Sequence, residues 1–292
     1  MISNDPRRGT ILVAVLWTVA LLSALAMAAS TTFRGFGGVI AADRDRIRAE
    51  ALLTAGLEAA AALTGTLGET PLQEIDSTIR LSTGSVRMSL SDEGGRIDVG
   101  QAPVEVLVGL FRSIGGSERQ ASDVAQQIIE WRNPNNTGRS NDAPQKSAQG
   151  ADADWPFTDI RQLSLIPAMP PGWVDAIAPL TTVYGSETVN PLTGSAGVIA
   201  ALPGIDEARL QAFLDMRRIF PADAARLEAI LAPAQRYLEV KPQQVISVYL
   251  ESRLADGFQA AARSIIVVLP DDSQPYRVLA WNPLPSPSGK GF

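Results

Sequence analysis

The chain opens on one uninterrupted apolar run and then changes rhythm. Residues 11–29 are Leu, Val, Ala, Ile, Met and Trp17, with Thr18 and Ser23 as the weakly polar exceptions. At ~1.5 Å per residue, about twenty such residues reach across a hydrocarbon core of ~30 Å as a helix that satisfies its own backbone hydrogen bonds. In the Ala-, Leu-, Arg- and Glu-rich stretch 41–67, apolar positions recur at helical spacing through Ile47, Leu52, Leu53, Leu57, Ala60 and Leu63. Gly35, Gly37 and Gly38 soften the join without breaking it, since each costs only ~1 kcal/mol against Ala. The pattern predicts one long helix, membrane-spanning in its first half and amphipathic in its second.

From Ile79 the period becomes two: Ile79 and Leu81, a turn, then Val86, Met88 and Leu90, the turn DEGG at 92–95, and Ile97 with Val99. Strong alternation returns only in VISVYLESRL from Val245, AAARSIIVVL from Ala260 and YRVLAW from Tyr276. A sheet interrupted by this much chain implies an insertion, and the insertion reads as helical. Val104, Leu107, Val108, Leu110, Phe111 and Ile114 keep helical spacing up to Gly115-Gly116. Ser117 with Gln120 then forms a capping box that opens a helix over 121–132. Further helices are predicted near 159–165, 172–177, 195–201, 207–217 and 222–231. The expected organisation is helix 10–68, first sheet portion 69–99, all-α insertion 100–243, second sheet portion 244–282 and a Pro/Ser-rich tail 283–292 without fixed structure.

Composition narrows the function. The 292 residues are 46% hydrophobic and 19% charged, with a formal net charge of -6. That balance speaks against a broad nucleic-acid-binding face, which needs clustered Lys and Arg. There is no cysteine and no histidine, so the commonest general base and the thiolate ligands are missing. The carboxylate pairs Asp92-Glu93, Asp206-Glu207 and Asp271-Asp272 fall at predicted turns or helix starts, where such residues do local structural work. No catalytic residue is assigned. Trp131, Trp155, Phe157 and Trp173 read as core of the insertion.

Arg7 and Arg8 before the apolar run place the N-terminus in the cytoplasm and the bulk of the chain across the membrane. Ala26 and Ala28 offer a small-x-small cut as the competing, secretory-signal reading. Arg7-Arg8-Gly9 abutting an uncharged helix with an amphipathic extension resembles the type IV pilin class, which prepilin peptidase cuts after the glycine. The resemblance implies Gly9 as the last leader residue and Thr10 as the new N-terminus. The phrases SDEGGRIDVGQAP (91–103), IIEWRNPNN (128–136), LTTVYGSETVNPLTG (180–194) and VIAALPGI (198–205) narrow it further. Together with Ala14, where the class carries Glu at the fifth mature position, they resemble the K-type minor pseudopilins of type II secretion (general secretion pathway protein K family). The implied fold is α+β: a transmembrane spine helix and a small antiparallel pilin-like sheet split by a large inserted all-α domain. The implied role is non-enzymatic, at the tip of a periplasmic pseudopilus held in the bacterial inner membrane by a single pass. I- and J-type minor pseudopilins, inner-membrane secretion components and prepilin peptidase are the implied partners. Ala14, Ile47, Leu52, Leu53 and Leu57 are the candidate partner contacts.

Two further sites are candidates. Asn133, Asn135, Asn136, Asp142, Asp152 and Asp154 gather oxygen ligands of the kind Ca²⁺ takes, and the family resemblance implies calcium in this lobe. Residues 201–218, ALPGIDEARLQAFLDMRR, resemble a helix-hairpin-helix. That makes an anchored DNA receptor the rival reading, although Asp206 and Glu207 put negative charge where a phosphate would sit.

Overall fold

The computed structural model describes residues 7–67, 70–72, 74–132, 156–241, 244–269, 272 and 274–285; within the first helix, side chains are described for 13–27 and 40–67. That helix, α1 (Arg7–Leu67), is a single element of 61 residues. It runs without a break through Gly35, Gly37 and Gly38, as the sequence predicts. Among the described residues no helix is long and apolar enough to cross a membrane.

The second half of α1 packs on an antiparallel sheet of five strands, β1 (Ile75–Leu81), β2 (Gly84–Asp92), β5 (Val245–Leu254), β6 (Gln259–Val268) and β7 (Tyr276–Leu284), in the order β1-β2-β5-β6-β7. Alternation aims one side of each strand at the helix. Leu53, Leu57, Ala60 and Ala61 of α1 meet Val86, Met88 and Leu90 of β2, Ile246, Val248 and Leu250 of β5, and Ala262 and Ile266 of β6. Burying each large aliphatic side chain stabilises the sheet by about 1.5–3 kcal/mol.

Between β2 and β5 lies the insertion. Asp92 pairs with Ile246, so the insertion leaves and rejoins the sheet at one place. It contains β3 (Ile97–Asp98), α2 (Val104–Ser113), α3 (Glu118–Arg132), α4 (Trp173–Ile177), β4 (Thr181–Thr182), α5 (Ala196–Ala201), α6 (Glu207–Ile219) and α7 (Ala224–Ile230), with 3-10 turns at Glu93–Gly95, Ile160–Leu165 and Ala232–Tyr237. The predicted capping box is present: the Gln120 N–H donates to Ser117 Oγ at 3.3 Å, and the Ser117 N–H to Gln120 Oε1 at 3.2 Å. Phe111, Ile128, Phe157, Leu163, Ile199 and Phe213 fill the insertion's own core. Trp173 stacks on Phe111 at 5.4 Å and Trp131 on Phe157 at 6.5 Å, as their core assignment anticipated; Trp155 lies outside the described residues.

Two boundaries move. Ile97 and Val99, read as the end of the first sheet portion, belong to the insertion. β3 pairs in parallel with β4 rather than with the main sheet, and both residues are buried in the insertion's core. The turn at Glu93–Gly95 redirects the chain, so the insertion begins directly after Asp92. At the other end β7 continues to Leu284, past the expected end at 282. Pro283 is tolerated there because β7 is an edge strand.

Candidate functional site

Two of the phrases that carry the family resemblance, 91–103 and 180–194, meet in space at the junction of sheet and insertion. Asp92 caps the 3-10 turn, accepting from the Gly94 N–H at 2.9 Å, and its other oxygen accepts from Thr193 Oγ1 at 2.7 Å. Glu93 is buried, and its carboxylate faces two cations: Arg96 at 3.5 Å from its own turn and Arg263 at 3.4 Å from β6. Arg263 also donates from Nε to Ser247 Oγ on β5 at 2.9 Å. The Asn190 N–H donates to the Gly94 carbonyl at 2.8 Å, and its side-chain amide donates to the Lys241 carbonyl at 3.2 Å. Gly95 must be glycine here, since a Cβ would stand 2.7 Å from the Thr193 carbonyl carbon. Sheet and insertion are therefore joined by polar contacts between segments that the sequence keeps far apart.

A second cluster lies immediately inside the insertion. Asp98, 1% exposed, accepts from the Gly100 N–H at 2.6 Å and the Gly185 N–H at 2.7 Å. Burial pushes its carboxyl up to about 6, against the pull of those donors and of the Arg132 charge. Arg132, at the end of α3, donates to the carbonyls of Val99 and Ala102, the latter at 2.7 Å, and its own burial lowers it to about 10. The Trp131-Arg132 pair thus combines an aromatic core residue with a clamp on the loop that follows β3.

The sequence-predicted site residues fare differently. Arg7, Arg8, Gly9 and Thr10 lie on the first turns of α1, with side chains outside the described residues. Ala14 and Ile47 are exposed. Leu52, Leu53 and Leu57 are not free to contact a partner; each is at most 4% exposed because the sheet occupies that face of α1. The calcium candidates Asn133, Asn135, Asn136, Asp142, Asp152 and Asp154 lie outside the described residues, and among the described residues no group of acidic side chains could hold a metal ion.

The hairpin of the DNA-receptor reading is a real turn between α5 and α6, with Gly204 at φ +78. Part of its backbone is already engaged, with the Ile205 N–H donating to the Leu202 carbonyl at 3.3 Å. Asp206 caps α6 by accepting from the Arg209 N–H at 2.8 Å, and Gly204 lies against Pro233. The cations nearby are engaged as well. Arg217 turns inward onto the carbonyls of Pro191 and Gly194, while Arg218 pairs with Asp215 and Arg226 with Asp223.

Residues 88–186, which hold both polar clusters apart from the 190–193 loop, Lys241, Ser247 and Arg263, match the family described as type II secretion system (T2SS), protein K. The K-type resemblance is borne out over this segment. Among solved structures, a chain of the GspK-GspI-GspJ complex of the enterotoxigenic Escherichia coli type 2 secretion system has the same fold. Its TM-score is 0.55 over 83% of this chain and 100% of that one, at 17% identity. No curated protein matches the chain significantly. Asp92, Glu93, Asp98 and Arg132 lie inside the phrases that carry the resemblance, although the sequence reading gives Asp92-Glu93 only local turn chemistry and assigns no role to Asp98 or Arg132. Arg263, lying 170 residues beyond its partner Glu93, carried no such signal.

Proposed function

We propose that this chain is a minor pseudopilin of type II secretion that caps and initiates the periplasmic pseudopilus and performs no catalysis. The observation that carries the reading is the architecture: a helix-backed sheet of pilin type with a large insertion mounted at one point, matched in sequence over the protein K segment. An insertion of this bulk cannot repeat along a narrow shaft but fits on an unblocked end. In this reading the apolar run of α1 anchors the chain in the inner membrane and prepilin peptidase cuts between Gly9 and Thr10. Ala14 brings no carboxylate into the bilayer. A charge there costs several kcal/mol unless it is partnered, so a subunit without one needs no subunit ahead of it. Its Thr10 amine still meets an acidic residue of the subunit below.

N-terminal sequencing of the membrane-extracted protein should begin at Thr10; a start at Ala29 or Ser30 would make the apolar run an ordinary signal peptide. Site-specific crosslinking from exposed α1 positions such as Ile47, Ala51 and Thr54 should trap the I- and J-type partners, one copy each. Long ladders of the major subunit would place the chain within the shaft instead. Calcium, in this reading, is held by oxygen donors among Asn133, Asn135, Asp142, Asp152 and Asp154 and supplies stability to the lobe. Millimolar Ca²⁺ should then raise the melting temperature by mass action, and an unchanged melting temperature with no metal by elemental analysis would remove it.

A further inference from the structure

The face of the sheet turned away from α1 has a chemistry of its own. Val86, Met88 and Leu90 of β2 point at the helix, so the alternate residues point the other way, and antiparallel partners share that side. Arg80 of β1, Ser85 of β2 and Arg253 of β5 form one cross-strand row. Thr78, Arg87 and Glu251 form the next, and Asp76, Ser89 and Tyr249 the third. With strands ~4.8 Å and rows ~7 Å apart, the three arginines stand about 8–10 Å from one another at their backbones.

All three arginines are exposed, and among the described residues neither Arg80 nor Arg87 forms an ion pair. Glu251 stands opposite Arg87 and offsets one of the three charges in these two rows, so the surplus is positive where the chain as a whole carries -6. The Thr78 and Ser85 hydroxyls lie between the cations. Tyr249 is 38% exposed and sits on the diagonal from Arg87, ~7–8 Å away. Guanidinium forks hold carboxylates bidentately, and an open phenol offers an apolar face with a polar tip, which suits the C–H face of a sugar ring. Cations spaced around hydroxyls beside such a ring are the complement of a glycan that carries carboxylates.

Direction narrows the source. Helix α1 backs the sheet, and in the minor-pseudopilin reading α1 is the spine, so this face looks outward into the periplasm. We propose that it binds the peptidoglycan of the cell wall: Arg80, Arg87 and Arg253 take carboxylates of the stem peptides, and Tyr249 stacks on a sugar ring. The inference rests on that reading for the identity of the glycan, and on register and exposure alone for the site.

Co-sedimentation of the detergent-purified full chain with purified sacculi tests it. The wild type should pellet with native sacculi, and converting the stem-peptide carboxyls to neutral amides should lower its affinity ~10-fold or more. The double variant Arg80→Gln, Arg87→Gln should lose about as much on native sacculi and little further on amidated ones. Its deficit should shrink toward 1 M salt, where the Debye length falls to ~3 Å. Tyr249→Ala should weaken binding ~3-fold or more at low and high salt alike. These side chains are exposed, so every variant should keep the wild-type melting temperature. No binding to native sacculi, equal binding to amidated ones, or undiminished binding by the double variant overturns the proposal. So does displacement by polyglutamate as effective as by free muropeptides at equal carboxylate concentration, which would make the face a dock for an acidic protein segment. Sacculus binding by a chain that traps neither the I-type nor the J-type partner would leave the site standing and sink the minor-pseudopilin reading instead.

Discussion

Asp98 makes a single ionisation visible in the stability of the whole insertion. Its carboxyl is raised from 3.8 to about 6, chiefly because burial penalises the charge. The folded state therefore holds a proton that the unfolded chain has already released. The sign follows: this residue's contribution is fully present below about pH 4 and is lost as pH rises through about 6, with a ceiling near 3 kcal/mol. Asp98→Asn has no proton to lose, although its amide must turn one donor toward a backbone N–H that the carboxylate accepts. The variant should unfold at lower urea than the wild type at acidic pH, and the gap should close as pH is raised from about 4.5 to 7.5. A constant gap would mean that the carboxylate stays ionised throughout, stabilised by Gly100, Gly185 and Arg132. Tyr276 is shifted the same way for a related reason, with partial burial and the Glu58 carboxylate pushing its phenol up to about 12. It therefore stays a hydrogen-bond donor across the physiological range.

At the scale of elements, helix packing in the insertion depends on small residues that a propensity argument would discard. In the middle of α2, a Cβ at Gly109 would come within 2.0 Å of the Ala201 carbonyl oxygen of α5. Gly→Ala inside a helix ordinarily gains about 1 kcal/mol, but a backbone atom cannot step aside as a side-chain tip can, and overpacking of this kind costs ~1–3 kcal/mol. Gly109→Ala should therefore lower the melting temperature despite the better helix former, and a rise would show that α2 and α5 slide apart freely. The elements themselves were legible because local signals set them. Ser117-Gln120 announced α3, and Ser195, Asp206 and Asp223 cap α5, α6 and α7 within a residue or two of the expected starts. What the sequence could not show was pairing. Ile97 and Val99 alternate as well as any sheet strand, and only their partner, Thr181–Thr182 far along the chain, assigns them to the insertion. The same limit hid the junction. Asp92-Glu93 was read as local turn chemistry, which holds for Asp92 with Gly94 and Glu93 with Arg96, whereas no spacing rule connects Asp92 to Thr193 or Glu93 to Arg263 of β6.

For the whole molecule, the question is whether sheet and insertion unfold as one body. Each has its own apolar core, and among the described residues no buried one belongs to both. Hydrophobic burial therefore stabilises the two parts separately. Among the described residues, coupling passes through the two chain crossings and a polar junction in which Glu93 of the insertion meets Arg263 of β6 and Asp92 of β2 meets Thr193 of the insertion. Glu93 is the member most costly to lose. Its side chain is 2% exposed while Arg263 remains 40% exposed, so removing the carboxylate strands cations that can only partly rehydrate. Breaking a fully buried pair costs ~3–5 kcal/mol, and the exposure of Arg263 moves this case to the lower end or below it. The share of that loss that comes from the Glu93–Arg263 pair is a contact between the parts, and it weakens their cooperation as well as the insertion's own turn. Scanning calorimetry of the detergent-purified chain should show the wild-type sheet and insertion melting in one transition. In Glu93→Ala that transition should separate into two, the insertion's core melting apart from the α1-backed sheet. Two transitions already in the wild type would mean that the junction orients the insertion without coupling it, and that the insertion is mounted on the sheet as an independent body.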